Sequence, residues 1–258
     1  MRRLVAWTVA GLFACPIIMW TAVVGVYLER GLPLELIAQT LVRTHTMAAI
    51  VSALAVAIAA PAVILASLRP SRVATIIRAL IFAPLCVGML ARNYAWIGML
   101  SERSAVTSLG WAVFGGPRLL YTNAAVTLVM AFVFLPWTYF VLEIGLGALL
   151  PIHFESAWTL GATDAAIVRR VLLPLMARPA VVAFTLTYCT ALGYFITPRM
   201  VGSNRGDVAS SVVINFMRLS GFGPSSEMGA YLLVSCLPFS LAFAMLLTRR
   251  DSIFSWSA

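Results

Sequence analysis

The sequence predicts an all-α, polytopic membrane protein of six transmembrane helices with an extra short helix in a cytoplasmic loop. Three observations carry that prediction. The composition is 62% hydrophobic and only 10% charged, far from the roughly 25% charged and 45–50% apolar usage of soluble domains. The mean hydropathy is +0.97. The apolar residues are also gathered into runs long enough to cross about 30 Å of hydrocarbon at about 1.5 Å rise per residue.

The runs lie at about Leu4–Leu28, Met47–Leu68, Val73–Met99, Leu119–Leu142, Pro179–Pro198 and Met228–Leu247, and together they make one membrane domain over residues 1–258. The first follows Arg2 and Arg3 and continues past Cys15 to Leu28, longer than the roughly 7–15 residues of a signal-peptide core, and is read as an uncleaved membrane helix. Pro16, Pro61, Pro84, Pro136 and Pro238 fall inside runs, where neighbouring helices satisfy the freed backbone groups and kinks are expected. Connections rich in charge and turn formers are expected at Glu29–Thr46, Leu100–Arg118 and Arg199–Glu227. Arg69 with Arg72, Arg169 with Arg170, and Arg249 with Arg250 cluster at span ends. The positive-inside rule then places both termini in the cytoplasm of an inner (plasma) membrane protein.

The same inventory excludes several functions. The net charge is +9, yet the arginines punctuate apolar runs and form no basic stripe, so nucleic acid is not an expected partner. All 18 basic residues are Arg; a P-loop needs a lysine on the nucleotide phosphates, so any motor lies in another polypeptide. Cys15, Cys86, Cys189 and Cys236 sit singly in apolar runs, and His45 and His153 are isolated, which leaves no metal-ligand or disulfide pattern. No cofactor or catalytic residue is assigned.

Between the fourth and fifth runs stands Phe154-Glu155-Ser156-Ala157-Trp158-Thr159-Leu160-Gly161, then nine residues, then Val171-Leu172-Leu173-Pro174. Phe154, Ala157, Trp158 and Gly161 share one face of a helix too short to span a bilayer, and such a helix needs a partner surface. Ile167 and Val171 are expected to face one way and Arg169 and Arg170 another, with Pro174 redirecting the chain into the fifth span. This segment closely resembles the EAA loop of binding-protein-dependent ABC import permeases (type I): Glu-Ala-Ala, three residues, Gly, nine residues, Ile, one residue, Leu-Pro. Ser156 stands for the first Ala and Val171 for Ile. The resemblance implies that the loop docks on a cytoplasmic ABC ATPase dimer through Glu155, Ser156, Ala157, Trp158, Gly161, Val171, Leu173 and Pro174. It also implies a second permease subunit or copy, a periplasmic solute-binding protein and lipid as further partners.

Two other stretches extend the likeness. Leu90-Ala91-Arg92-Asn93-Tyr94-Ala95-Trp96 resembles the Val-Arg-x-Tyr-Ala-Trp stretch of spermidine/putrescine-type permeases, and Ala191-Leu192-Gly193-Tyr194-Phe195-Ile196-Thr197-Pro198 resembles their Ala-Leu-Gly-x-Phe-x-x-Pro segment. On that likeness the cargo is a polyamine or a related small organic solute, carried by alternating access. Charged and aromatic groups at membrane depth are the candidates for the translocation pathway: Arg92, Asn93, Tyr94, Trp96, Glu143, Tyr188 and Tyr194. The extracytoplasmic stretches carry more Arg than acid, which does not favour a cationic cargo. An ion-gradient-driven secondary transporter is the alternative, and it predicts ionisable relays at the bilayer midplane. A membrane enzyme would need converging nucleophile, base or metal ligands, and the two separated histidines offer none.

Overall fold

The computed structural model describes residues 33–68, 71–101, 104, 120–147, 163–202, 208–219 and 225–236, and among these there are helices and connections but no strand. The helices in chain order are α1 (Leu34–Leu68), α2 (Ser71–Phe82), α3 (Met89–Leu100), α4 (Asn123–Gly147), α5 (Asp164–Ile167), α6 (Leu173–Gly193), α7 (Ile196–Val201) and α8 (Ala209–Leu219). A final helix, α9, covers residues 225–236. Among the described residues α1, α4 and α6 are each long and apolar enough to cross a membrane. The run Leu4–Leu28 and the second half of Met228–Leu247 lie outside the described residues.

α1, α4 and α6 pack against one another as the centre of the bundle. Lipid tails are as apolar as leucine, so association rests on close approach, which small residues permit. Ala48, Ser52, Ala55, Ala59 and Ala66 form a buried seam along α1, at helical spacing. Ser52 returns its hydroxyl to the Ala48 carbonyl at 2.7 Å, so the seam buries no unpaired donor. Pro61, Pro136 and Pro179 all lie within continuous helices, as expected where neighbouring elements re-satisfy the backbone.

The structure corrects four boundaries. α1 begins at Leu34, inside the stretch expected to be a connection: amides of Leu36 and Ile37 bond the Pro33 carbonyl and Glu35 occupies the first turn, where a carboxylate suits the helix dipole. The run Val73–Met99 is not straight, because α2 and α3 meet at 105°. The 3₁₀ turn Ala83–Cys86 with Pro84 near its start, extended Val87 and N-capping Gly88 make that bend. The run Pro179–Pro198 starts earlier, at Leu173, and breaks after Gly193 before α7. Finally, part of the Gly-rich stretch Arg199–Glu227 is the amphipathic helix α8, whose start bonds back to Val208 through the amides of Ser211 and Val212.

At the α4–α6 crossing Gly145 faces Pro179, and a β-carbon there would stand 2.7 and 2.8 Å from the Pro179 Cβ and Cγ. The proline ring cannot rotate away. Gly145→Ala is therefore expected to lose about 1–3 kcal/mol by overpacking, whereas Gly147→Ala, with nothing within 4 Å, is expected to be neutral or slightly stabilising. Thermal unfolding in detergent checks this: equal midpoints for the two variants would refute the contact.

Candidate coupling arm and translocation residues

Glu155, Ser156, Ala157, Trp158 and Gly161 lie outside the described residues. The second half of the motif is described. Thr163 accepts the Ile167 amide at 3.0 Å, α5 follows, and Val168–Leu172 forms a π turn in which the Leu173 amide bonds the Val168 carbonyl. Pro174 has no N–H to return to Arg170, and widening the turn is one way a helix passes that gap. The chain is thus not redirected at Pro174; α6 continues from it. Ile167 (1% exposed) and Leu172 (0% exposed) are buried residues of the arm. Arg169, Arg170, Leu173 and Pro174 are exposed.

Ile167 and Leu172 enter a core cluster made with Ala59 and Val63 of α1, Tyr139, Leu142 and Leu146 of α4, and Met176 and Ala183 of α6. The arm is therefore keyed into all three central helices by aliphatic packing. Beside this cluster Glu143 accepts from Arg78 Nε at 2.6 Å and from the Tyr139 hydroxyl at 3.3 Å.

The pathway candidates fall into two groups. Asn93 is wholly buried; its Oδ1 accepts from Thr197 Oγ1 at 2.7 Å and its Nδ2 donates to the Met89 carbonyl at 2.9 Å. Tyr194 stands beside it, with its ring edge-on to Phe134 at 5.2 Å and its carbonyl accepting from Ser210 at 3.2 Å. The two stretches with the strongest likeness outside the EAA loop thus converge on one polar node between α3 and α7. Trp96 packs on Phe132 at 5.1 Å. Tyr188 is buried, stacked between Phe184 and His45, and its hydroxyl meets His45 Nδ1 at 2.5 Å. Arg92 and Tyr94 make up the second group. Tyr94 is 65% exposed, and Arg92 folds its Nη2 back to the Val87 carbonyl at the bend, 3.2 Å away.

Sequence reasoning did not assign His45 a partner, nor pair Arg78 with Glu143, nor single out Thr138 and Thr187, whose hydroxyls bond at 2.9 Å across the buried α4–α6 contact. Beside that hydroxyl pair a groove of about 230 Å³ is lined by Phe134, Trp137, Val141, Leu186, Thr187 and Thr190. No group of three His, Cys, Asp or Glu converges as a metal site among the described residues.

The described residues thus form a bundle with a broken helix pair, inward polar pairs and a helical arm keyed into its core. The chain belongs to the binding-protein-dependent transport system inner membrane component family, which matches residues 58–252, and so is a multi-pass inner-membrane protein. It is 30% identical over 159 residues to a probable sulfate transport system permease protein cysT of Prototheca wickerhamii, and 28% identical over 158 residues to that of Chlorella vulgaris. Each match covers 60% of this chain and 58% and 55% of the relatives, so the chain spans little more than half their length. The fold is similar to a bacterial alginate ABC transporter solved in complex with alginate pentasaccharide-bound periplasmic protein (TM-score 0.68, 14% identity, 95% of this chain and 96% of that one). A second structure of an ABC transporter for alginate import gives a TM-score of 0.63 at 16% identity, again over 95% and 96%. The expected type I permease fold is present, and none of these relatives is named for a polyamine.

The node between α3 and α7 makes a stability prediction. Thr197→Val keeps the shape but leaves the buried Asn93 oxygen without its donor, at an expected cost of about 1–3 kcal/mol. Combined with Asn93→Leu, the second change is expected to cost less than it does alone, because the orphaned acceptor has gone. Additive unfolding midpoints for the two substitutions would remove the node.

Proposed function

We propose that the chain is the permease subunit of an ABC importer, and that the segment from Glu155 to Pro174 couples it to a separate cytoplasmic ATPase dimer. One observation carries the reading. The EAA-type motif ends in an arm whose Ile167 and Leu172 are buried among α1, α4 and α6, so displacement of the arm displaces the bundle centre. Glu155, Ser156, Ala157, Trp158 and Gly161 provide the docking surface, and Val171, Leu173 and Pro174 its continuation into α6. A second permease subunit or copy and a periplasmic solute-binding protein complete the importer, with six crossings over residues 1–258 and both termini in the cytoplasm.

For cargo we favour an anionic solute, such as an inorganic oxyanion or an acidic sugar, over a polyamine. The relatives named above concern sulfate and alginate, and the chain's +9 charge is carried wholly by arginine, which suits anions and repels polyamines. Half-buried Arg92, near the bend, and exposed Tyr94 are the pathway candidates we favour. Asn93, Trp96, Glu143, Tyr188 and Tyr194 hold the bundle in the conformation described. An ion-gradient carrier needs a titratable relay at the midplane, and no observation here favours that alternative.

Two measurements test the proposal. Affinity purification of the detergent-solubilised chain is expected to recover an ABC ATPase subunit, and Gly161→Asp, which adds bulk and charge to the docking helix, is expected to reduce that recovery at least tenfold; equal recovery would refute the coupling role. A thermal-shift screen of the cognate binding protein is expected to respond to sulfate or an oligouronate and not to spermidine. Stabilisation by spermidine alone would return the polyamine reading.

A further inference from the structure

Helix α2 exposes large apolar side chains, Val73, Ile76 and Leu80 at 39%, 59% and 70% exposure, beyond the exposed Arg72 and Thr75 near its start. Its packed face runs through buried Ala74 and half-buried Ile77 and Ile81, and Arg78 lies on that same face at helical spacing. In a bilayer the exposed Val73, Ile76 and Leu80 suit lipid, and a charge turned towards the bundle then needs a partner. Arg78 has one: its Nε donates to Glu143 Oε1 at 2.6 Å, and the same oxygen accepts from Tyr139 at 3.3 Å.

Tyr139 is wholly buried in the cluster that also holds Ile167 and Leu172 of the arm. Phe82, the last residue of α2, lies edge-on to Tyr139 and Phe140 at 6.2 Å. Immediately beyond Phe82 the chain enters the 3₁₀ turn and bends by 105° into α3. α2 is thus clasped at its end by aromatic edges and one turn earlier by a charge pair, both resting on the residue that contacts the arm's core.

We propose that Arg78 is a positioning residue for the transport cycle. Held by Glu143 and Tyr139, it ties the α2–α3 elbow to the cluster that grips the coupling arm, so that arm and elbow move together. This rests on the ABC permease reading above. An exposed ion pair in water contributes little, and Arg78 is half exposed and Glu143 about a quarter. The pair's use is therefore geometric: it fixes which face of α2 meets α4, because neither apolar face alone distinguishes lipid from protein.

Cys86 is exposed at the elbow and serves as the reporter. The importer is assembled in nanodiscs from this chain with Cys15, Cys189 and Cys236 replaced by Ala, its partner subunit and its ATPase. A nitroxide is placed on Cys86, and the line shape is recorded before and after trapping with ATP and vanadate. With the native pair, trapping is expected to change the mobility of the probe. In Arg78→Gln that change falls at least threefold while the ATPase copurifies in the same ratio, and Arg78→Glu combined with Glu143→Arg restores more than half of it. An undiminished change in Arg78→Gln overturns the proposal, as does a native complex whose probe ignores trapping. Loss of ATPase copurification in Arg78→Gln also overturns it, since the residue would then serve general folding. A native chain that retains no ATPase overturns the permease reading itself, which separates the two failures.

Discussion

Everything in this bundle depends on the close approach of α1 to α4 and α6. Without water to expel, the three helices gain little from apolar character as such, and must gain instead from contact and from mutual satisfaction of polar groups. The alanine and serine seam of α1 supplies the contact. The polar pairs then fall where the helices touch: Thr138 with Thr187 between α4 and α6, and His45 with Tyr188 between α1 and α6. Thr44 adds a further bond, accepting the Ala209 amide at the start of α8 at 2.8 Å while returning its own hydroxyl to Thr40. Each pair fixes helix rotation, which apolar packing against an apolar solvent leaves weakly determined.

The same logic explains what a single sequence reveals about this fold. Hydropathy identifies the central runs because the bilayer imposes it, and motif spacing identifies the arm through its resemblance to the EAA loop. Hydropathy does not report the bend between α2 and α3, since Ala83 to Met89 is apolar enough to read as uninterrupted helix; Pro84 and Gly88 are the local signal, and elsewhere in this chain Pro61 and Pro136 are absorbed without a break. α8 is missed for the opposite reason. Its flanks are rich in Gly and Ser, and its apolar face, which reaches Val212, Val213 and Phe216, is too short to stand out as a span.

The site residues follow a similar division. Intramembrane charge flags Glu143 and Arg92 from sequence, and the structure gives the first a partner 65 residues away. No periodicity could supply that pairing, which is set by how α2 turns back on α4. Asn93 and Thr197, separated by 104 residues, bond across the two stretches that resemble spermidine/putrescine-type permeases, yet each stands at a position that the resemblance leaves unspecified. A buried amide leaves an expensive vacancy if its partner is lost. A polar residue at membrane depth can therefore serve to close a broken helix pair as readily as to contact cargo.

The two ends of the bundle are consequently built differently. Around the arm the cluster is mainly aliphatic and tightly filled, with Leu142, Leu146 and Leu172 fully buried, and a close-packed interior transmits displacement with little compliance. Around α3 and α7 the chain is broken twice, at Gly88 and at Tyr194–Phe195, and is held by directional hydrogen bonds to Asn93, Thr197 and Ser210. Such bonds can be exchanged one at a time, whereas aliphatic packing must move as a body. A stiff end beside the arm and an exchangeable end beside the helix breaks suit the coupling proposed above, in which the subunit is driven from one side of the membrane and opens on the other.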